Sequence, residues 1–257
     1  NTFIKLLNMK KLISFYISIF FLFGIGISLN AQNPDFNHWA VYGFKVSSEN
    51  ESTVFNIMDD YFTNNKADGI SVSLYNVMFA STDISATHII SFEGNKEDMG
   101  QFFNPTNSDS ESALFFSKLN YFVDESSFSG NGVRLARFGL KEEVMPVQEI
   151  FVIDVEEFSE YRKWLDNQII LDEKYPKDYL SSATGRISHG GIVPGINTWI
   201  MNGFKSYEGF LDKWSNDQEF QKNNPKYVKE RDKLNENINY DLFDLKTKFM
   251  RGLIKQW

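Results

Sequence analysis

The sequence predicts an α+β fold made of two halves of one plan, each reading β-α-β-β-α-β. Three observations predict it. Runs of alternating apolar and polar residues mark strands. Apolar residues spaced by three and four mark helices between them. The same order of elements then recurs at an offset of about 109 residues, found by matching elements as a repeat search prescribes.

In the first half Val41–Val46 reads as a strand. Ser52–Asn65 reads as a helix with Phe55, Met58 and Phe62 on one stripe. Ile70–Ala80 is a long strand in which Ile70, Val72 and Leu74 alternate with Ser71, Ser73 and Tyr75. A third strand runs from His88 to Glu93, and helices follow over Lys96–Phe103 and Glu111–Val123. Gly130 and Gly132 are read as a break in the chain, and Val133–Phe138 as the last strand. The second half repeats this order. Ile150–Val155 is a strand, Glu157–Leu171 a helix with Phe158, Tyr161, Leu165 and Gln168 on one face, and Asp178–His189 and Asn197–Asn202 are strands. Helices over Ser206–Trp214 and Lys226–Asn237 precede a closing strand, Tyr240–Phe249. Gly94-Asn-Lys96-x-x-x-Gly100 matches Gly203-Phe-Lys205-x-x-x-Gly209 at the same strand-to-helix junction. The alternative, two unrelated α+β stretches, rests on the low identity elsewhere.

This is the ferredoxin-like order, an antiparallel four-stranded sheet with helices on one face. The bare face needs a partner. Two such halves, 38–146 and 147–257, supply it to each other by packing sheet to sheet, which encloses a core or a cleft. In this element order residues 38–257 resemble the dimeric α+β barrel superfamily in tandem, intrachain form. That superfamily includes antibiotic-biosynthesis-type monooxygenases, haem-degrading monooxygenases and small stress-responsive barrels. Its haem-degrading members carry a Trp on the strand corresponding to Asn197–Asn202, an Asn on the first strand and a His on the second helix. Trp199 matches by type and element. The strand Ile150-Phe-Val-Ile-Asp-Val155 has no Asn, and the second-half helices have no His. The resemblance therefore implies the fold and leaves the cofactor unknown.

The first 31 residues read as a leader. Lys10 and Lys11 follow Met9, Leu12–Leu29 is almost wholly apolar, and Ala31 is a small residue at a cleavage position. The competing reading is a membrane anchor, because the run approaches the roughly 20 residues that span a bilayer. Cleavage before Gln32 is the expectation, with the folded part in the periplasm or outside the cell. It removes Lys5, Lys10 and Lys11 and no acid, taking the net charge from −8 to −11. A surface of that sign opposes nucleic acid and anionic membranes as partners. With no Cys in the chain, thiol catalysis, Cys-ligated metals and disulfides are all excluded.

Motifs for phosphate loops, dinucleotide binding and zinc peptidases are missing. His189-Gly190-Gly191 lacks the Gly-x-Ser-x-Gly elbow an esterase needs. Carboxylate pairs such as Asp59-Asp60, Glu142-Glu143 and Glu156-Glu157 read as solvated or helix-end charges. The candidate ligand-binding residues are His88, Arg134, Arg137, Arg186, His189 and Trp199. His88 and His189 could approach one cleft if the halves are related by a twofold, and a plain structural or surface role is the alternative. No metal site is expected, since His38 sits before the first strand, away from the other two histidines. Arg134 and Arg137, three apart on one strand, are expected on opposite faces, so that at least one faces the inter-sheet space. A buried Arg there demands an anionic partner. The 25 Phe and 11 Tyr suit an apolar pocket and equally a ring-rich core.

Three functions fit these features. The first is an exported protein that binds a small apolar or aromatic ligand in the cleft. The second is an oxygenase-like enzyme using His88 or His189 with Trp199. The third is a structural or partner-binding protein with no pocket. The partners expected are a small ligand and a second copy of the chain.

Overall fold

The computed structural model describes residues 37–257 apart from 66–67, 108–109 and 141–143. The leader-like segment and the Glu142-Glu143 pair lie outside the described residues. The first half contributes β1 (His38–Lys45), α1 (Glu51–Asn64), β2 (Ile70–Ala80), β3 (His88–Gly94), α2 (Lys96–Phe102), α3 (Ser110–Phe122) and β4 (Glu125–Gly139). The second contributes β5 (Val147–Val155), α4 (Phe158–Lys174), β6 (Ser181–Gly191), β7 (Thr198–Phe204), α5 (Tyr207–Leu211), α6 (Lys213–Asn223), α7 (Pro225–Asn235) and β8 (Phe243–Gln256).

The strands form one closed antiparallel barrel in the order β1-β3-β2-β8-β5-β7-β6-β4. Within it, β4-β1-β3-β2 and β8-β5-β7-β6 are two ferredoxin-like sheets. They do more than face each other. Their edges are hydrogen-bonded, β2 to β8 from Ser73–Gln256 to Ala80–Phe249, and β4 to β6 from Ser129–Gly191 to Gly139–Ser181. Closure leaves no free sheet edge. The lengths of β4 and β8, 15 and 14 residues, make it possible. β4 pairs with β1 through its first part and with β6 through its second. β8 likewise serves β5 and then β2.

Both last strands are longer than the sequence predicts. Gly130 and Gly132 do not break the chain but lie inside β4. Gly132 sits opposite Trp39, and Gly185 on β6 sits opposite Trp199. A Cβ at Gly132 would fall on the Arg186 carbonyl oxygen and 2.8 Å from the Trp39 ring. One at Gly185 would lie 2.5 Å from the Val133 oxygen and 2.6 Å from Trp199. The glycines are thus where the β4–β6 seam closes and where indole rings lie over it. The offset between halves also drifts. His38 pairs with Gly94 and Val133, whereas Val147 pairs with Phe204 and Gly252, so matched positions are 109, 110 and 119 residues apart. The ladder sets Gly94 against Phe204, one residue past Gly203. The additional helix α6 is one the sequence pattern does not predict beyond Trp214: Asp212 both ends α5 and begins α6, and no α6 residue is buried to mark a stripe.

The helices cover the outer face of each sheet. Val54, Met58 and Phe62 of α1 pack with Val72, Leu74, Ile90 and Phe92 of β2 and β3. Burial of a ring such as Phe62 stabilises by about 1.5–3 kcal/mol. Because side chains alternate, Ile89, Ser91 and Glu93 of β3 face the other way, into the barrel. Among the described residues no helix is long and apolar enough to cross a membrane.

Gly132→Ala is expected to cost about 1–3 kcal/mol in urea unfolding, because neither backbone at the seam can retreat. Gly100→Ala is the control. A Cβ there meets nothing within 4 Å, and the change in mid-helix α2 is expected to stabilise by about 0.5–1 kcal/mol. Equal effects at the two glycines would contradict the account of the seam.

Candidate functional site

Inward-facing residues of all eight strands line a cavity of about 110 Å³ that is partly open to solvent. Its two ends differ in chemistry. At one end, the β2–β3 and β6–β7 connections bring Ile84, Ala86 and Ile196 together with Ile89, Phe128, Val152 and Phe249, an apolar plug. At the other end, where β1 and β5 begin, the lining includes Glu93, Arg134, Arg137, Gln148 and Arg251. Between them Trp39 and Trp199 meet edge to face, with centroids 5.9 Å apart and planes at 88°. β1 and β7 are not neighbours; the rings meet across β4 and β6 because Gly132 and Gly185 leave the floor flat. Both indole Nε1 atoms are buried and find no acceptor among the described residues.

The expectation that Arg134 and Arg137 point to opposite faces does not hold. The β4 register against β6 shifts between Arg134 and Ala136, a bulge that inserts one residue and resets the alternation. Both arginines therefore line the barrel. Arg134 Nη1 donates to Glu93 Oε2 at 2.8 Å, with 11% of its side chain exposed. Burial, and next the charge of Arg134, pull the Arg137 guanidinium below the usual arginine range, against Glu93 and Tyr75.

Arg251 is held differently. Its Nε and Nη2 donate to Gln148 Oε1 at 2.9 and 2.7 Å, and it lies 3.9 Å over the Tyr75 ring. The buried Gln148 amide is oriented in turn by donating to the Met145 carbonyl at 3.0 Å and towards the Tyr75 hydroxyl at 3.4 Å. Arg251 thus has a fixed pose and a neutral partner. No described carboxylate lies within ion-pair distance of it.

Trp199, Arg134 and Arg137 come together in this cavity, and the other three candidates lie elsewhere. His88 faces the helices, stacked on Phe44 at 5.8 Å with Nδ1 2.9 Å from the Thr87 hydroxyl. Arg186 is exposed over the Phe158 ring at 5.0 Å, and His189 is exposed near the end of β6. Sequence reading missed Trp39, Glu93, Gln148 and Arg251. The alternation of Trp39 with Val41 would have given the first. Arg251 continues the alternation from Phe249, but the predicted strand stopped there.

A second cavity of about 240 Å³ lies between the outer face of β6 and β7 and helices α4, α6 and α7. Of the charged groups lining it, Lys177 and Asp217 serve each other. Lys177 donates to Asp217 at 2.7 Å, and the Tyr179 hydroxyl donates to the same carboxylate. Burial alone would raise Asp217, but these hydrogen bonds outweigh it and hold the carboxyl below its usual range. No histidine lines either cavity, and no cluster of potential metal ligands occurs among the described residues. The donor set therefore does not fit a histidine-ligated haem.

Burial, the larger effect, holds the His88 imidazole below its ordinary value of 6.5, against Glu51. Folded His88 stays neutral while the unfolded chain takes up a proton. Its contribution is therefore intact above pH 6.5 and lost as the pH falls through the window beneath it. His88→Phe keeps a ring on Phe44 and is expected to flatten the fall in urea midpoint between about pH 6.5 and 5, with residual slope from His38, also held low by burial. An unchanged slope would contradict this placement.

No family model matches the chain, and no curated protein matches it. Solved structures do. One is a Fusobacterium nucleatum protein described provisionally as a monooxygenase, with TM-score 0.52, 11% identity, and 86% of this chain and 94% of that one covered. Another is an anthrone oxidase-like protein, with TM-score 0.51, 8% identity, and 88% and 94% covered. A third, from Lactobacillus acidophilus and provisionally a monooxygenase, gives TM-score 0.51, 9% identity, and 85% and 93% covered. At such identities the likeness shows the fold, a two-part α+β barrel spanning nearly the whole of each relative.

Proposed function

We propose that the chain is a binding protein for a small apolar or aromatic molecule held inside the barrel. The observation that carries this reading is the cavity inside the barrel, partly open to solvent, with aromatic and aliphatic walls and a few polar groups gathered at one end. That is the usual make-up of a ligand site. Its size suits a compact molecule. A cavity of about 150 Å³ holds one benzene ring, and this one is about 110 Å³.

Two of the structures sharing the fold are described as monooxygenases and one as oxidase-like. For this chain the oxygenase reading lacks its residues. His88 and His189 do not line the cavity, and Glu93, the one carboxylate among the described lining residues, is paired with Arg134. The presence of this cavity likewise weighs against a pocket-free structural role.

Ala183 faces the cavity and is 1% exposed. Ala183→Leu is expected to fill the space, at a stability cost of no more than about 1–3 kcal/mol, and abolish binding. Native mass spectrometry of protein from its host should show a bound small molecule in the parent and none in the variant. A ligand retained by the filled variant would move the site elsewhere. We also infer export, supported by Lys10-Lys11, the apolar run Leu12–Leu29 and Ala31. N-terminal sequencing of host protein is expected to begin at Gln32, and retention of residues 12–29 in membrane fractions would contradict it.

A further inference from the structure

We propose that the barrel ligand is a monocarboxylate, its carboxylate bound by Arg251 at the polar end and its apolar body against Trp39, Trp199 and Ile150. This rests on the barrel being the ligand site. Three features of the lining lead to it.

The first is the state of Arg251. A guanidinium carries five N–H donors in a fixed fork suited to a carboxylate. Gln148 occupies Nε and one Nη2 donor through a single oxygen. The Nη1 donors and the second Nη2 donor have no hydrogen-bond partner among the described residues, and Arg251 lines the cavity. A partly buried cation whose partners, an amide and a tyrosine ring, are both neutral favours an anion beside it. The second feature is preorganisation. The Tyr75 ring under the guanidinium and the saturated Gln148 amide lock its rotamer, so little order is lost when a ligand arrives. The third is the pair of Trp Nε1 donors without acceptors in the same cavity. Together the lining offers donors and positive charge at one end and hydrocarbon elsewhere. A neutral hydrocarbon would leave those donors unmet. A multiply charged anion would desolvate against the apolar walls. One carboxylate on a small apolar body meets both conditions.

Gln148→Glu sharpens the test. It keeps size and shape but places a carboxylate on Arg251, occupying the fork from within. Calorimetric titrations at neutral pH would compare isovalerate with isoamyl alcohol, and benzoate with benzyl alcohol. At least one acid is expected to bind, at least tenfold tighter than its alcohol. Gln148→Glu and Arg251→Met should each reduce acid affinity at least tenfold and abolish the preference for the acid over its alcohol. Thermal unfolding of both variants confirms that they are folded, and the isosteric Gln148→Glu decides if Arg251→Met is not. An acid that binds no tighter than its alcohol overturns the carboxylate inference and leaves the barrel as an apolar site. Inorganic phosphate binding as tightly as either acid also overturns it, marking a plain anion site. Acids and alcohols that all fail to bind overturn both this inference and the barrel reading.

Discussion

Barrel closure along the β4–β6 seam is the constraint on which the rest of the structure depends. Two ferredoxin-like sheets could pack face to face and leave four edges exposed to water or to other chains. Here β4 runs past its own sheet and hydrogen-bonds to β6, while β8 does the same for β2. The backbones at the β4–β6 seam come close enough that Gly132 and Gly185 have no room for a side chain. The same glycines leave a flat floor on which Trp39 and Trp199 meet. Closure, aromatic wall and cavity are therefore one arrangement seen from three sides.

The bulge in β4 adds the chemistry. A strand with unbroken alternation would send one of Arg134 and Arg137 to the helix face. The shift between Arg134 and Ala136 turns both inward, onto the end of the barrel that also holds Glu93, Gln148 and Arg251. Bringing arginines into a largely apolar enclosure is costly unless each has a partner. Glu93 answers Arg134 directly. Gln148 answers Arg251 with hydrogen bonds but no charge, and that imbalance is what the proposed carboxylate would answer.

Much of the fold was legible in the sequence because its strands alternate cleanly. Ile70–Ala80 has the bounds read from its pattern, and His88 opens a strand as expected. What stayed hidden depends on pairing across the chain. Gly130 and Gly132 look like breakers in isolation, and only β6 and Trp39 explain them. A bulge leaves no mark in composition, so the phase of Arg137 could not be read. Arg251 lay beyond the predicted end of the last strand, since polar residues around it dilute the alternation that β5 and β2 enforce from either side. Trp199 was legible as a cavity residue from its strand; its partner Trp39 was missed although it alternates with Val41, because the strand was read from Val41, three residues after its first residue.

The account stands most directly on where a small acid binds, and the five tryptophans report that. Indole N–H resonances would be assigned by single Trp→Phe substitutions and followed by NMR during an isovalerate titration. Trp39 and Trp199, which line the barrel, are expected to shift together and saturate at one concentration. Shifts confined to Trp164, which lines the cavity beneath α4, with Trp39 and Trp199 unmoved, would contradict the claim that the barrel interior is the site.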